Sequence, residues 1–253
     1  MQKINDIKID VLKTKQDKKI NLHQNMFHDY YPNILISARK NSGKSNLIYN
    51  IIKNIVVPKR LNKIFFFCKT FENDMTYQAM AEKLNKYNIE YQVFDDIKCV
   101  DENTGKLKYI LNDVMNEMKQ GVENDKERFK KTKYSYPLYI IVFDDFSDCL
   151  REKKIIENYI KRNRHYRAVS LIAQHQFKDV APGIRSNINY LILYKNVPLK
   201  DLETIYDTYF NNISFERFLE IYNDAVKEPF NFLYINTNDN TDLRKNFNFK
   251  YNI

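Results

Sequence analysis

Glycine is scarce in this chain, with four Gly among 253 residues. Average usage of roughly 7% would give about eighteen. The scarcity excludes collagen-like and Gly-rich low-complexity proteins, and any tight phosphate-binding loop must form with few of its usual residues. One of the four, Gly43, lies in the tetrapeptide Ser-Gly-Lys-Ser at 42–45. The position of this rare residue is therefore the first indication of function.

Cysteines and long apolar runs are also scarce. Cys68, Cys99 and Cys149 are far apart and form no Cys-x-x-Cys spacing, which argues against a disulfide framework or a zinc site. No apolar run reaches about 18 residues, and the N-terminus does not resemble a signal peptide. We therefore expect a soluble intracellular protein without a membrane-spanning segment.

The charge and the apolar content are substantial. Lys and Arg number 41 against 32 Asp and Glu, a net charge of +9, which favours a polyanionic partner. Basic chains are also common in Lys-rich proteomes, so this indication is a general one. Hydrophobic residues make up 43% and aromatic residues 14%, enough for a sizeable core.

Short unbroken apolar runs alternate with segments of helical periodicity. Strands are expected at 33–37, 64–68, 91–94, 137–143, 168–173, 190–194 and 230–235, and helices at 45–55, 75–87, 107–122, 155–164, 199–210 and 215–225. This alternation predicts an α/β fold with a mostly parallel central sheet and helices on both faces. A further strand is expected at 7–11, and we expect the Asn-rich tail from 238 to be ordered only by a neighbour.

No linker rich in Pro, Gly or Ser divides the chain, and there is no internal repeat. We therefore predict a single domain over residues 1–253. Its motif-bearing core spans about 30–200, and C-terminal helices with a late strand occupy about 201–253.

The strongest motif connects the strand at 33–37 to the helix that follows it. It fits the P-loop pattern with Ala in place of the first glycine, and it consists of Ala38, Arg39, Lys40, Asn41, Ser42, Gly43, Lys44 and Ser45. In such a loop, backbone N–H groups and a helix N-terminus point at phosphates. Lys44 would neutralise phosphate charge, and Ser45 would bind Mg²⁺ through its hydroxyl. Ala38 is compatible with the loop if its φ is negative.

Two carboxylates follow the apolar run at 137–143. Parallel sheets place their sites at the carboxyl ends of the strands, and a buried strand does not tolerate free carboxylates within it. Asp144 would hold Mg²⁺ directly or through water, and Asp145 would orient or deprotonate the attacking water. An N-cap would be the better interpretation of these residues alone, but the upstream P-loop favours the catalytic one.

A polar segment ends the strand at 168–173. Gln174 is the first choice for a residue that senses the γ-phosphate or holds the attacking water, and Gln176 is the second. His175 is expected to be an exposed loop histidine. His165, further upstream, is expected to be structural or to lie at a subunit boundary.

In this order the motifs resemble those of the poxvirus-type genome-packaging ATPases, members of the HerA–FtsK superfamily found in large DNA viruses and virophages. The segments that carry the resemblance are 38–45, 140–145, 163–165, 170–174 and 184–187. The family implies a RecA/ASCE-like P-loop NTPase fold with ATP and Mg²⁺ at the site. It also implies an ATP-driven double-stranded DNA translocase that fills a preformed capsid as a homo-oligomeric ring.

Further expectations follow from this resemblance. Ring motors often complete each site with an arginine from the neighbouring subunit, and the candidates are Arg162, Arg164, Arg167 and Arg185. Arg185 fits the family pattern best and is our catalytic choice, whereas the cluster at 161–167 has a solvated or DNA-facing helix end as its alternative. Partners would be the DNA backbone and a capsid or portal-like vertex. The charge of the basic loop at 126–133 makes it a candidate for the DNA contact, with a solvated loop as the alternative. The location would be the host-cell cytoplasm, a viral factory or the virion.

Two alternatives belong to other classes. Another P-loop phosphotransferase, a nucleotide kinase or GTPase, is one, but the segment Asn-Lys-Tyr-Asn at 85–88 lacks the final Asp of the guanine motif, and no Arg-rich lid is evident. A non-catalytic nucleotide- or DNA-binding virion scaffold is the other. The intact Lys44, Ser45, Asp144 and Asp145 argue against it.

Overall fold

The computed structural model describes residues 18–19, 26–55, 61, 63–101, 104–126, 134–135, 138–145 and 153–253. Its strands are β1 (Lys18–Lys19), β2 (Asn33–Ser37), β3 (Lys63–Cys68), β4 (Tyr91–Phe94), β5 (Lys98–Val100), β6 (Leu107–Tyr109), β7 (Tyr134–Ser135), β8 (Tyr139–Asp144), β9 (Ala168–Gln174), β10 (Tyr190–Leu193), β11 (Leu233–Asn236), β12 (Leu243–Lys245) and β13 (Phe249–Lys250). Its α-helices are α1 (Lys44–Ile55), α2 (Met75–Lys86), α3 (Ile110–Asn124), α4 (Lys153–Arg162), α5 (Pro182–Arg185), α6 (Leu199–Tyr209) and α7 (Phe215–Ala225).

A nine-stranded sheet organises the fold, in the order β13-β12-β11-β10-β2-β9-β8-β3-β4. The six strands from β10 to β4 are parallel to one another, and β11, β12 and β13 extend the sheet antiparallel at one edge. Strands β2, β3, β8 and β9 are buried along their whole length. This confirms the mostly parallel sheet expected from unbroken apolar strands, because such strands must be covered on both faces.

Alternate residues of each central strand serve opposite faces of the sheet. In β8, Ile141 and Phe143 pack in one core with α3, α4, α6 and α7, whereas Ile140 and Val142 pack in the other with α1 and α2. The period of two along a strand produces this division. Helices therefore lie on both faces of the sheet, as the pattern predicted.

Helix α3 begins three residues later than expected. The residues at 107–109 form β6, which pairs antiparallel with β5 through a turn that contains Gly105 at φ +63°. Leu107 is 72% exposed and so contributes nothing to the helical face that the periodicity suggested. A pairing between two chain segments thus displaced the local helical signal.

The C-terminal region also differs from the prediction. The late strand is Leu233–Asn236, and Phe230 lies outside it with a φ of +64°. The tail from 238 is ordered within its own chain, because β12 and β13 add to the sheet. Leu243 is fully buried there, and Asp239 organises the connecting turn by accepting a hydrogen bond from the Thr241 N–H.

Some expectations fall on residues outside the described ranges. These are the strand at 7–11, Cys149 and the loop at 126–133 apart from Lys126, which is exposed. Within the described ranges, no helix combines the length and apolar character that a membrane crossing requires.

Candidate nucleotide-binding site

The register of the sheet brings the predicted polar residues to one edge. Ser37 pairs with Gln174 across β2 and β9, and Asp144 pairs with Ala173 across β9 and β8. Parallel strands in register end together, so their carboxyl ends form the crevice where α/β sheets place ligands. Helix α1 begins at this edge with Lys44, after the connecting segment 38–43.

The connecting segment has the backbone of an anion-binding loop. Asn41 and Gly43 have φ values of +63° and +90°, and the Leu47 N–H donates to the Gly43 carbonyl as α1 begins. Left-handed residues between right-handed ones turn successive N–H groups toward one point. Ala38, unlike Asn41 and Gly43, does not have a positive φ, and its N–H donates to the Gln174 carbonyl at 2.9 Å. An alanine therefore fits the first P-loop position, as expected for a negative φ.

Lys44 bridges the two carboxylates. Its Nζ lies 2.8 Å from Asp144 Oδ1 and 2.6 Å from Asp145 Oδ1. Burial acts to lower the pKa of Lys44, but the charges of Asp144 and Asp145 outweigh it and the pKa is raised. The lysine is thus held as a cation at the mouth of the loop, as phosphate binding requires.

Asp145 adopts a left-handed backbone conformation at the end of β8. Its φ is +52°, and its N–H donates to the Ala173 carbonyl at 3.1 Å. Asp is among the residues that tolerate the left-handed region, and strained conformations of this kind cluster at functional sites. The turn separates the two carboxylates, so Asp144 is 4% exposed and Asp145 is 37% exposed at the side chain.

His175 connects the P-loop to Asp145. It is exposed, as expected, but its Nε2 lies 3.3 Å from Asp145 Oδ1 and its Nδ1 lies 3.1 Å from the Ala38 carbonyl oxygen. The sequence interpretation as a simple loop histidine missed these contacts. Adjacency to Gln174 was the available signal, because a residue directly after a strand remains at the same edge.

Helix α2 and its N-cap supply two residues that the sequence motifs did not identify. Tyr77, fully buried, donates its hydroxyl to Asp144 Oδ2 at 2.6 Å. Burial raises the pKa of Asp144 more than the charge of Lys44 lowers it, and burial beside Asp144 raises the pKa of Tyr77. Asp74 caps α2 by accepting from the Thr76 N–H, and its Oδ2 lies 3.5 Å from Ser45 Oγ.

Gln174 has an unused donor. The side chain is 1% exposed, and within the described part of the chain its Nε2 has no hydrogen-bond partner. A buried amide without a partner costs free energy, which is a reason to look for a ligand. Gln174 therefore has the donor that its predicted role requires. Gln176, the second choice, is less buried and begins a 3₁₀ turn (Phe177–Asp179).

The candidate arginines fall into two groups. Arg162 and Arg164 lie next to the amino end of β9, which is seven residues long, so roughly 20 Å of strand separates them from Gln174. Arg167 is at the same end and pairs with Asp125 at 2.7 Å. The structure therefore separates these three from the P-loop of their own chain.

Arg185 differs from them. It is half-buried in α5, its guanidinium lies 4.9 Å from the centroid of the Phe177 ring, and its Nε has no partner among the described residues. Gly183 of this short helix faces α4, where its nearest neighbour is the carboxylate of Glu157.

The other residues of the 163–165 segment are structural or exposed. Asn163 is buried and donates to the carbonyls of Tyr31 and Ala168 at 2.8 and 3.1 Å, which fixes the entry to β9. His165 is exposed.

The residues suited to Mg²⁺ are few, as at other nucleotide sites. The described residues contain no group of three or more His, Cys, Asp or Glu that could hold a metal alone. Mg²⁺ at such sites usually binds one or two protein oxygens together with phosphates and water. The Ser45 hydroxyl and the Asp144 carboxylate provide that chemistry, and both lie at the loop.

A family model described as the poxvirus A32 protein matches residues 18–214. The chain belongs to this family. The match extends beyond the motif segments at both ends, and it confirms the resemblance inferred from them. Among curated proteins, this A32 family member is 27% identical over 114 residues to the uncharacterized protein 088R of invertebrate iridescent virus 3. That alignment covers 43% of the chain and 42% of the relative.

Solved structures confirm the P-loop NTPase fold of this A32 family protein. The genome packaging NTPase B204 of Sulfolobus turreted icosahedral virus 2, in complex with AMPPCP, has a TM-score of 0.56 at 15% identity, covering 85% of this chain and 97% of B204. The pCW3 conjugation coupling protein TcpA, with ATPγS, has a TM-score of 0.51 at 14% identity, covering 80% of this chain and 56% of TcpA.

Proposed function

We propose that this A32 family protein is a Mg²⁺-dependent ATPase that translocates double-stranded DNA into a preformed viral capsid as a homo-oligomeric ring. The observation that carries the proposal is the contact of Lys44 with both Asp144 and Asp145 at the P-loop. A non-catalytic binding loop needs the lysine but not two carboxylates beside it. The family match and the packaging NTPase B204, whose structure holds AMPPCP, support the substrate and the process.

The residues divide the work of phosphate-bond hydrolysis. The backbone of 41–45 and the Lys44 ammonium would bind the phosphates, so Lys44 exchanges a carboxylate for a phosphate when the nucleotide enters. Ser45 and Asp144 would hold Mg²⁺, which neutralises phosphate charge when bound. Asp145, the more exposed carboxylate, would accept the proton of the attacking water. Gln174 would donate its free N–H to the γ-phosphate or to that water.

The DNA partner follows from charge. The chain carries a net charge of +9, and a translocase must bind the phosphate backbone without reading sequence. We place the protein in the host-cell cytoplasm, a viral factory or the virion, and we expect it to dock at a capsid or portal-like vertex.

The test is ATP hydrolysis by the purified protein with and without long double-stranded DNA. We expect DNA to raise the rate of hydrolysis. We expect Lys44→Ala to abolish hydrolysis, because the ammonium group that binds the phosphates is lost. Lys53→Ala is the matched control: Lys53 is an exposed lysine in the last turn of the same helix. Transfer of phosphate to a nucleoside, with no response to DNA, would show a phosphotransferase instead.

A further inference from the structure

An exposed aromatic ring lies against the phosphate-binding loop. A Cβ built on Gly43 would be 3.1 Å from Phe230 Cδ1, so the ring contacts the P-loop backbone. Phe230 is nevertheless 70% exposed. A large apolar side chain in this position is not part of the core, and its other surface is open to a ligand.

The backbone of Phe230 is strained and held in place. Its φ of +64° is unusual for a bulky residue, and such outliers persist where the surroundings enforce them. Asn246 provides the constraint: its Oδ1 accepts from the Phe232 N–H at 3.1 Å, and its Nδ2 donates to Asn231 Oδ1 at 2.9 Å. Phe232 itself is buried against Tyr194. The loop is thus anchored directly after the exposed ring.

The sheet register explains why this loop reaches the site. Leu233 pairs with Leu193, and Leu193 pairs with Ser37, so the start of β11 is level with the end of the P-loop strand. Phe230, three residues earlier, extends beyond the carboxyl edge.

A cavity of about 500 Å³ lies nearby, between the segment after β10 and helix α7, with Val197, Leu199, Tyr222 and Val226 in its lining. This volume is within the usual range for small-ligand sites. The cavity lining also includes Lys227, three residues before Phe230, which places the cavity beside the loop that carries the ring.

We propose that the Phe230 ring is the stacking platform for the base of the bound nucleotide, with the adjacent cavity receiving the sugar and base edges. This rests on the proposed function, because it assigns the base-binding part of the same site. Stacking on an aromatic ring tolerates any base. The ring would therefore supply affinity, and the choice of base would come from other groups.

The test compares ATP with inorganic tripolyphosphate, which has the phosphates but no base. Phe230→Ala should weaken ATP binding about tenfold, as the loss of one stacked base predicts, and should leave tripolyphosphate binding unchanged. Phe249→Ala is the control, because Phe249 is 68% exposed on strand β13. Calorimetry of both ligands with the three proteins gives the comparison.

A second readout uses the absence of tryptophan from the chain. Phe230→Trp introduces a single tryptophan at the proposed platform, which can be excited at wavelengths where the tyrosines do not absorb, and stacking of the base should quench its fluorescence when ATP binds. Phe249→Trp should not respond. This measurement tests the stacking role of the ring even if tripolyphosphate binds too weakly for calorimetry.

The outcomes separate the two proposals. ATP binding that is insensitive to Phe230→Ala, with no quenching at Trp in that position, overturns the stacking role and leaves the ATPase proposal standing. Equal weakening of ATP and tripolyphosphate would mean that the ring only supports the loop, and it also overturns the stacking role. Failure of the unmodified protein to bind ATP contradicts both proposals.

Discussion

Among single residues, Asp145 should separate nucleotide binding from turnover. Its carboxylate faces Lys44 and His175, whereas the proposed Mg²⁺ ligand is the neighbouring Asp144. Asp145→Asn keeps the side-chain shape, and Asn tolerates the left-handed backbone that this position requires. We expect nearly unchanged ATP affinity and hydrolysis slowed by about 100-fold or more, the usual contribution of a general base. Calorimetry and steady-state hydrolysis on the same preparation provide the two measurements.

Asp207→Asn is the control for that experiment, because it makes the same chemical change at an exposed position of α6. Hydrolysis at the original rate in Asp145→Asn would remove Asp145 from the proton-accepting role. A loss of affinity equal to the loss of rate would instead make it a binding residue.

The sequence predicted some site residues and not others for identifiable reasons. Lys44 and Asp144 stand in patterns whose chemistry requires them, and the fold brings them within 2.8 Å of each other. Tyr77 and Phe230 occupy aromatic positions of the kind that usually fill a core, and nothing local distinguishes them. Tyr77 is recognised by its contact with Asp144, and Phe230 by its contact with Gly43. Both contacts join segments that are distant in sequence.

At the scale of elements, helix α2 has a role beyond covering the sheet. It places the Tyr77 hydroxyl on Asp144 Oδ2, opposite Lys44. Tyr77→Phe should reduce hydrolysis about tenfold, because Asp144 loses a hydrogen bond that fixes its orientation; a bond of this kind, to a charged group, is worth about 1.5–3 kcal/mol. Hydrolysis rates measure the effect on activity, and urea denaturation of the nucleotide-free protein measures the effect on stability.

A second buried tyrosine provides the comparison. Tyr159 is also fully buried, and its hydroxyl bonds to Ser170 Oγ at 2.8 Å, away from the P-loop. Tyr159→Phe should lower stability, by about 0.5–1.5 kcal/mol for a neutral bond, and leave the specific hydrolysis rate unchanged. If both variants lose activity only in proportion to their loss of folded protein, α2 does not position Asp144.

Element boundaries followed the sequence where the signal was local. Strand β4 and helix α7 have the predicted bounds, because apolar periodicity and flanking turns specify them. The prediction was wrong at Leu107–Tyr109, where antiparallel pairing with β5 decides the conformation, and at Phe230, which lies in the turn before β11. Such pairing depends on a partner strand, and the periodicity of one segment contains no information about it.

For the molecule as a whole, the strand order brings the candidate site residues together. Strand β9 lies between the P-loop strand β2 and the carboxylate strand β8, so Gln174 ends between the loop and the Asp pair. The sequence predicted a parallel sheet but could not determine this order, because many strand orders satisfy the same apolar pattern. The order also places Arg162 and Arg164 at the opposite edge, where they cannot reach the nucleotide of their own chain.

In the proposed ring an arginine of one subunit would complete the site of the next, and Arg185 is the best candidate for that contact. Its Nε lacks a partner among the described residues, whereas Arg167 is committed to Asp125. Arg167→Ala should therefore lower the free energy of unfolding, since it leaves Asp125 half-buried without its cation. Arg185→Ala should leave the monomer folded and remove hydrolysis.

Mixing two inactive proteins tests whether Arg185 acts across a subunit boundary. Lys44→Ala subunits retain Arg185, and Arg185→Ala subunits retain an intact P-loop. In a mixed ring some sites combine the intact loop of one subunit with the arginine of its neighbour, so DNA-stimulated hydrolysis should return in part. Recovery should be greatest at intermediate ratios, and the oligomer mass measured with ATP and DNA should be that of the unmodified ring. No recovery at any ratio, with mixed rings present by mass, would place the action of Arg185 within its own chain.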